Sequence, residues 1–301
     1  MLNVGMLWAL REDAMQIVID ALVHGTRPTA GFTADKPYQK GAGSTKTAII
    51  PIQGVLTKDG PAWLGSSYDR LADAVEKAGA DKSVSRIVLA VDSPGGEVTG
   101  LPETASVIAQ AARVKPVHAI VDGQAASAAY WLTSQANHVS LTPSGEVGSV
   151  GVRMAHTDLS KMMEDQGIKV TELYSGNFKT EWSPFKPLSE DAIGDMQSRL
   201  SAAHTDFLNA IHSGRGSVVS AEMRRTRMGE GRMFGADKAA SHGLVDKIQT
   251  GREFYRSIVP AEEQPKAPVH VGFPIGQSQQ QELVTARLWL ERARLAAARR
   301  M

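Results

Sequence analysis

Short apolar runs alternate with segments of helical periodicity through the middle of the chain. We expect strands in six apolar runs: 47–56, 86–91, 117–121, 139–141, 150–152 and 169–174. We expect helices where apolar residues recur at one-turn spacing: 68–78, 97–112, 127–137 and a longer one that follows Ser189 and ends near Ser213. Strands that alternate with helices predict an α/β fold with a layered, largely parallel sheet.

The composition divides the chain into four parts. Residues 1–46 combine an amphipathic helix, predicted over Trp8–Val23, with a strap rich in Gly, Pro, Thr and Lys. The alternating body spans 47–258, and a linker rich in Pro and Gln follows at 259–281. The last part, 282–301, predicts a basic helix with five arginines against two glutamates. Two interpretations of this helix stay open: a solvated terminal helix, or a binding element for a protein or nucleic acid.

Composition removes several classes of function. The 301 residues carry 33 Lys and Arg against 32 Asp and Glu, which argues against a mainly electrostatic binder of nucleic acid or membrane. Cysteine is absent and the histidines lack ligand spacing, so we expect no metal and no other cofactor. No apolar stretch reaches the roughly 18 residues of a membrane span, and charges at 11–13 interrupt the N-terminal apolar run. We therefore expect a cytoplasmic protein.

Two glycine-containing turns follow predicted strands and carry the candidate chemistry. The first, Val91-Asp-Ser-Pro-Gly-Gly96, leads into a helix, where free backbone N–H groups can stabilise an oxyanion. The second, Asp122-Gly-Gln-Ala-Ala-Ser127, places a serine among alanines at a helix start. Either turn alone has an ordinary structural explanation, a change of chain direction or a helix cap. Together they indicate an acyl-transfer site with Ser127 as nucleophile.

A serine nucleophile needs a base, because its hydroxyl is weakly nucleophilic at neutral pH. Lys179 follows a predicted strand beside Phe178 and Trp182, and an apolar pocket there would favour the neutral amine. The rival is a Ser-His-Asp triad that uses His156 and Asp158, which have only a loose spacing. We favour lysine.

Several motifs in the same order resemble the signal peptide peptidase A family of serine peptidases. They are the Asp-Ser-Pro-Gly-Gly turn, the 123–131 segment, Val147-Gly-Ser-Val-Gly-Val152, Gly176-Asn-Phe-Lys179 and the run from Phe234 to Asp246. The resemblance covers about residues 47–250 and makes 47–258 a peptidase domain. It implies a ClpP/crotonase-like spiral of ββα units, and hydrolysis of peptide bonds by a Ser/Lys dyad.

The resemblance also assigns roles to residues. Ser127 matches the nucleophile, Lys179 the general base and Ser149 a hydroxyl that orients the lysine. The oxyanion donors are expected to be the backbone N–H groups of Gly96 and Ala128, with Gly95 shaping the turn. Ala128 and Ala129 stand where family members more often have glycines, and an alanine supplies the same N–H.

The family resemblance further implies partners. The single catalytic unit, the N-terminal Trp8-Ala-Leu-Arg-Glu segment and the basic C-terminal helix are similar to tailed-phage head maturation and capsid assembly proteases. We therefore expect a homo-oligomer in which Ser127 and Lys179 can come from adjacent subunits. It would act in the host cytoplasm or inside a procapsid on extended segments of scaffold, capsid or portal proteins, with no membrane insertion. Nucleic acid could contact only the basic helix.

Substrate binding and alternatives complete the sequence-based expectations. An extended substrate is expected to pair with the strand edge near Gly96, and the alanines around Ser127 favour a small P1 side chain. Three other functions are alternatives: a bacterial peptidase that degrades released peptides, a crotonase acting on acyl-CoA thioesters, and a catalytically silent scaffold protein. The presence of both Ser127 and Lys179 argues against the last two.

Overall fold

The computed structural model describes residues 8–10, 38–40, 46–60 and 64–258. The strands are β1 Trp8–Leu10, β2 Tyr38–Lys40, β3 Lys46–Leu56, β4 Val84–Glu97, β5 Val117–Ala126, β6 His138–Leu141, β7 Glu146–Gly148, β8 Met233–Gly235 and β9 Lys247–Ile248. The α-helices are α1 Tyr68–Ala80, α2 Leu101–Val114, α3 Ala128–Thr133, α4 Ser160–Asp165, α5 Glu190–Arg215, α6 Ala221–Arg225, α7 Ala236–Ser241 and α8 Gly251–Ile258. Within these ranges, no helix is long and apolar enough to cross a bilayer.

A mainly parallel sheet organises the described residues. Its strands lie in the order β2-β3-β4-β5-β6-β9; β3, β4, β5, β6 and β9 run parallel to one another, and β2 runs antiparallel to β3. The far end of β5 leaves β6 and pairs with β7, which in turn pairs with β8. The short strand β1 runs antiparallel to the last residues of β4. The two glycine-containing turns therefore lie at the carboxyl ends of adjacent parallel strands.

Both faces of the sheet are buried, which explains why its strands have apolar runs rather than strict alternation. Helices α1, α2, α3 and α5 cover one face, with Tyr68, Tyr130 and Phe207 almost completely buried against it. Helix α8 covers the other face, where Phe254 packs on Ile49 and two neighbouring strand residues. This two-sided core holds the ends of β4 and β5 rigidly beside each other.

Most of the predicted elements of the body are confirmed, with shifted ends. The strands predicted at 47–56, 86–91, 117–121 and 139–141 are present, and β4 and β5 continue well beyond the predicted ends because their glycine turns still pair with neighbours. The predicted helices become α1, α2, α3 and α5, although α2 starts four residues later than the predicted residue 97 and α3 ends at residue 133. The Ser189 hydroxyl caps α5 by accepting the amide N–H of Ala192.

Two predicted elements are wrong, and so is the described start of a third. The strand expected at 150–152 is irregular, because the positive φ values of Gly148 and Ser149 end the extended segment first; β7, just before them, pairs with β5 instead. The strand expected at 169–174 is irregular and exposed, since no neighbouring strand pairs with it in the described chain. Trp8–Leu10 is a strand rather than the start of a helix, because pairing with β4 outweighs its local helical pattern. Residues 11–37, the linker and the basic helix lie outside the described residues.

Candidate active site

The first glycine turn forms the last part of β4. Gly95 has a φ of 101°, a conformation that L side chains rarely adopt, and Gly96 follows it against β3. A Cβ at Gly96 would lie 1.8 Å from the carbonyl oxygen of Leu56, so only glycine fits here. The hydroxyl of Ser93, which is completely buried, donates to the Gly54 carbonyl at 2.6 Å and accepts the Gly95 N–H at 3.2 Å. Ser93 thus fixes the turn between two strands.

Ser127 lies between β5 and α3 in a strained backbone conformation. Its φ of 53° and ψ of −120° are unusual for a residue with a side chain, and such strain costs about 1–3 kcal/mol and clusters at active sites. The Ser127 amide donates to the Gly148 carbonyl at 2.7 Å, and its own carbonyl accepts the Trp131 N–H at 3.0 Å. Its hydroxyl makes only a long contact, 3.4 Å, to the Gly151 carbonyl. The hydroxyl is therefore held in place by the backbone and only weakly engaged.

The two turns approach each other closely. A Cβ placed on Gly95 would lie 2.9 Å from the Ala126 carbonyl oxygen and 3.1 Å from the Ala128 amide nitrogen. The Ala128 amide is the first of α3, and the first N–H groups of a helix have no partner within it. The Ala128 N–H thus directly follows Ser127 and lies next to Gly95, whose neighbour Gly96 carries the other expected oxyanion donor. Such an arrangement can hold the negative charge of a tetrahedral intermediate.

The Asp92 side chain connects the two turns by a hydrogen bond. Its Oδ1 accepts the amide N–H of Gln124 at 3.3 Å, and a Cβ on Gly123 would lie 2.6 Å from that oxygen. Burial raises the pKa of Asp92, the Gln124 N–H lowers it, and the nearby charge of Asp122 raises it, with a net upward shift. The carboxyl therefore ties the nucleophile turn to β4 at the cost of a partly desolvated charge.

Ser149 lies just after the end of β7, close to the turn that carries Ser127. It directly follows Gly148, whose carbonyl accepts the Ser127 N–H, and it also has a positive φ of 53°. The amide of Ser149 donates to the Arg232 carbonyl at 2.8 Å, which anchors it to the segment before β8. The structure thus brings Ser127, Ser149, Gly95, Gly96 and Ala128 together.

Lys179 makes no hydrogen bond to that group in the described part of a single chain. It lies in an exposed turn, where its amide donates to the Gly176 carbonyl at 3.1 Å. Neighbouring Phe178 is 73% exposed, so the apolar pocket expected around the lysine is absent from the described part of a single chain. That expectation depended on the strand at 169–174, which does not form. In the described residues, no hydrogen bond or ion pair joins Lys179 to Ser127.

His156, the alternative base, has a hydrogen-bond partner other than Ser127. His156 Nε2 lies 2.9 Å from the Ser183 carbonyl oxygen. Asp158 is exposed and accepts the Ser160 N–H at 2.9 Å, and these Ser160 hydrogen bonds lower the pKa of its carboxyl. The described residues thus contain no hydrogen-bonded chain from Asp158 through His156 to Ser127. No cluster of three or more potential metal ligands occurs in the described ranges either.

The sequence analysis did not predict two residues that position the site, nor the strand β1 that pairs beside it. Ser93 and Asp92 belong to the first turn, where only the glycines were considered. A signal existed for Ser93, because short polar side chains before a turn commonly bond to the backbone two residues on. Asp92 instead bonds to Gln124 on the next strand, which no local pattern indicates. The third omission is β1, which pairs with Gly95–Glu97. No sequence signal indicated that pairing, because it joins residues almost ninety positions apart.

Comparison with known proteins gives one family match and several relatives. The pattern of peptidase family S49 matches residues 109–263. Capsid assembly protease C of Escherichia phage lambda is 30% identical over 205 residues, which cover 67% of this chain and 46% of that protein. The Head-tail preconnector protein GP5 of Enterobacteria phage P21 is 29% identical over 205 residues, covering 67% of this chain and 40% of that protein. The chain thus spans less than half the length of these two relatives.

A solved structure completes the comparison. A membrane-bound stomatin-specific protease in complex with a substrate peptide is 17% identical, with a TM-score of 0.41 over 67% of this chain and 74% of that one. The S49 match and the alternating strands and helices around a parallel sheet confirm the predicted ClpP/crotonase-like α/β fold. The S49 match, together with the Putative signal peptide peptidase SppA of Enterococcus faecium, which is 26% identical over 222 residues (71% of this chain and 63% of that protein), confirms the predicted resemblance to the signal peptide peptidase A family.

Proposed function

Because the chain belongs to peptidase family S49, we propose that it is a serine endopeptidase that uses a Ser/Lys dyad. Ser127 is the nucleophile, Lys179 the general base, and Ser149 orients the lysine. The N–H groups of Gly96 and Ala128 hold the oxyanion. The proposal is carried by one observation: a buried serine in a strained turn is followed by the Ala128 amide, which lies next to the glycine turn of the adjacent strand.

The reaction needs only these groups and water. The neutral amine of Lys179 takes the proton of Ser127 as Oγ attacks the carbonyl carbon of the substrate. The amides of Gly96 and Ala128 stabilise the tetrahedral oxyanion, and removing one such donor typically costs about 100- to 1,000-fold in rate. The lysine then protonates the leaving amine, and water hydrolyses the acyl-serine to regenerate the hydroxyl.

The exposed position of Lys179 supports a site shared between copies of the chain. Large apolar side chains are exposed along the segment that carries it: Ile168 at 49%, Leu173 at 93%, Tyr174 at 57% and Phe178 at 73%. Exposed apolar clusters of this kind are typical of protein–protein interfaces. We propose that this segment packs on a second copy and delivers Lys179 to the partner's nucleophile. Burial among apolar side chains there would favour the neutral amine that the mechanism requires.

The biological setting is proposed from the phage relatives. The similarity to a capsid assembly protease supports head maturation, in which the enzyme cuts scaffold, capsid or portal proteins in the host cytoplasm or inside a procapsid. Co-purification with procapsids tests this setting. Consistent absence of the protein from procapsids formed in the same cells would contradict it.

The dyad is tested by three single substitutions with a matched control. We expect Ser127→Ala and Lys179→Ala each to abolish cleavage of an unstructured protein substrate and covalent labelling by a fluorophosphonate. His156→Ala should retain both activities, as should Lys161→Ala, which removes another exposed lysine of the same segment. Full activity of Lys179→Ala together with loss in His156→Ala would overturn the dyad.

A further inference from the structure

Strand β1 lies in the groove beside the nucleophile and pairs on both of its edges. On one edge, the Trp8 amide donates to the Arg153 carbonyl at 3.0 Å, and the Arg153 amide donates to the Trp8 carbonyl at 2.9 Å. On the other edge, β1 runs antiparallel to β4 with Trp8 opposite Glu97, Ala9 opposite Gly96 and Leu10 opposite Gly95. An extended segment held between two strand edges is how a peptide binds by β-augmentation.

The register places Ala9 at the proposed oxyanion site. The N–H and C=O of one residue in a strand point to the same edge, and those of its neighbours point to the other. Because Trp8 uses both groups toward Arg153, those of Ala9 face Gly96 on β4. The Ala9 carbonyl is thus directed at the amide proposed as an oxyanion donor.

The surroundings of Ala9 agree with that placement. A Cβ on Gly95 would lie 2.3 Å from the Ala9 carbonyl oxygen and 3.1 Å from the Ala128 amide nitrogen. The Ala9 carbonyl oxygen and the Ala128 amide therefore lie close together beside Gly95, and Ala9 is paired in register with Gly96. The Ala9 side chain is completely buried, next to a turn built of glycine and alanine, so a larger side chain would not fit without rearrangement.

We propose that β1 is the protein's own substrate and that the enzyme cuts its chain between Ala9 and Leu10. This inference depends on the proposed peptidase activity. Ser127 Oγ bonds to the Ala9 carbonyl carbon, the Ala9–Leu10 bond breaks, and the lysine-borne proton passes to the Leu10 amine. Water then releases residues 1–9 as a peptide with a free carboxylate. Until that cut, β1 occupies the groove that other substrates need.

Intact mass spectrometry of the purified full-length chain tests the cut. We expect the wild type to lose residues 1–9 and to begin at Leu10, and Ser127→Ala to keep its whole N-terminal segment. Ala9→Glu should block this cut, because a charged side chain does not fit a completely buried position. The conservative Ala9→Ser should retain it, and Ala80→Glu, the same change at an exposed helix end, should be cut like the wild type.

A second readout separates this inference from the proposed function. Fluorophosphonate labelling of Ser127 and cleavage of an added unstructured protein are measured on the same samples. A wild type that labels and cleaves the added protein but keeps residues 1–9 overturns the inference and leaves the peptidase proposal standing. A wild type that neither labels nor cleaves the added protein overturns the peptidase proposal itself. Cutting of Ala9→Glu at residue 9 also contradicts the inference.

Discussion

Ser93→Ala removes the side chain that holds the proposed oxyanion turn to the rest of the sheet. The Ser93 hydroxyl bridges β3 and β4 by donating to the Gly54 carbonyl at 2.6 Å and accepting the Gly95 N–H at 3.2 Å. Both partners are buried, so water cannot easily replace the hydroxyl. The substitution changes no group that we assign to the chemistry.

The expected size of the effect follows from these two bonds. A buried donor or acceptor that loses its partner costs about 1–3 kcal/mol, and Ser93→Ala leaves one of each. We therefore expect a clear loss of unfolding free energy. A turn that is displaced by a fraction of an ångström also misplaces the Gly96 amide, and misplacements of this kind lower rates by about 10- to 100-fold.

Urea denaturation and peptide hydrolysis measure the two effects separately. Ser106→Ala is the matched control, because Ser106 is exposed and its hydroxyl only accepts a hydrogen bond from Gln110 on the same helix. We expect the control to retain both stability and rate. If Ser93→Ala matches the control in both measurements, Ser93 does not position the turn.

Two further substitutions test the packing near the site, and a third at an open position serves as a comparison. Gly96→Ala should destabilise strongly by forcing a Cβ against the Leu56 carbonyl, whereas Gly79→Ala, in an open helical position, should stabilise by about 1 kcal/mol in the same denaturation assay. Arg215→Met should lower the unfolding free energy by about 2–4 kcal/mol, because it leaves the Asp246 carboxylate, which is only a quarter exposed, without its ion-pair partner. Burial raises the pKa of the Asp246 carboxyl, but hydrogen bonds from Arg215 and a backbone amide lower it by more, so its net pKa is below the usual value. The stability that the ion pair contributes should therefore be present above pH about 4 and lost as pH falls through the lowered pKa. An unfolding free energy that stays flat down to about pH 2 would contradict this.

The fold could be predicted largely because its strands are buried on both faces. Apolar runs such as Lys46–Leu56 mark central parallel strands whatever their partners are. The strands that were missed share one cause: an edge strand is defined by its partner rather than by its own pattern. Glu146–Gly148 and Trp8–Leu10 pair with the ends of β5 and β4, and neither has a strong strand pattern of its own.

The candidate site was only partly predictable for a similar reason. Motifs located Ser127 and the glycine turns because close backbone packing demands glycine and alanine there. The sequence could not show that Lys179 would lie exposed in a single chain, because its surroundings depend on what covers the apolar segment around it. Nor could it show that Trp8–Leu10 would enter the groove.

Mixing two inactive variants tests the shared Ser/Lys site most directly. Ser127→Ala and Lys179→Ala are each expected to be inactive alone, because each lacks one half of every site. If Lys179 serves the nucleophile of a neighbouring copy, unfolding and refolding an equal mixture should restore about a quarter of wild-type hydrolysis, since sites with both intact halves then form at random in a symmetric oligomer. A mixture that stays inactive while wild type refolds to full activity under the same conditions would contradict the account.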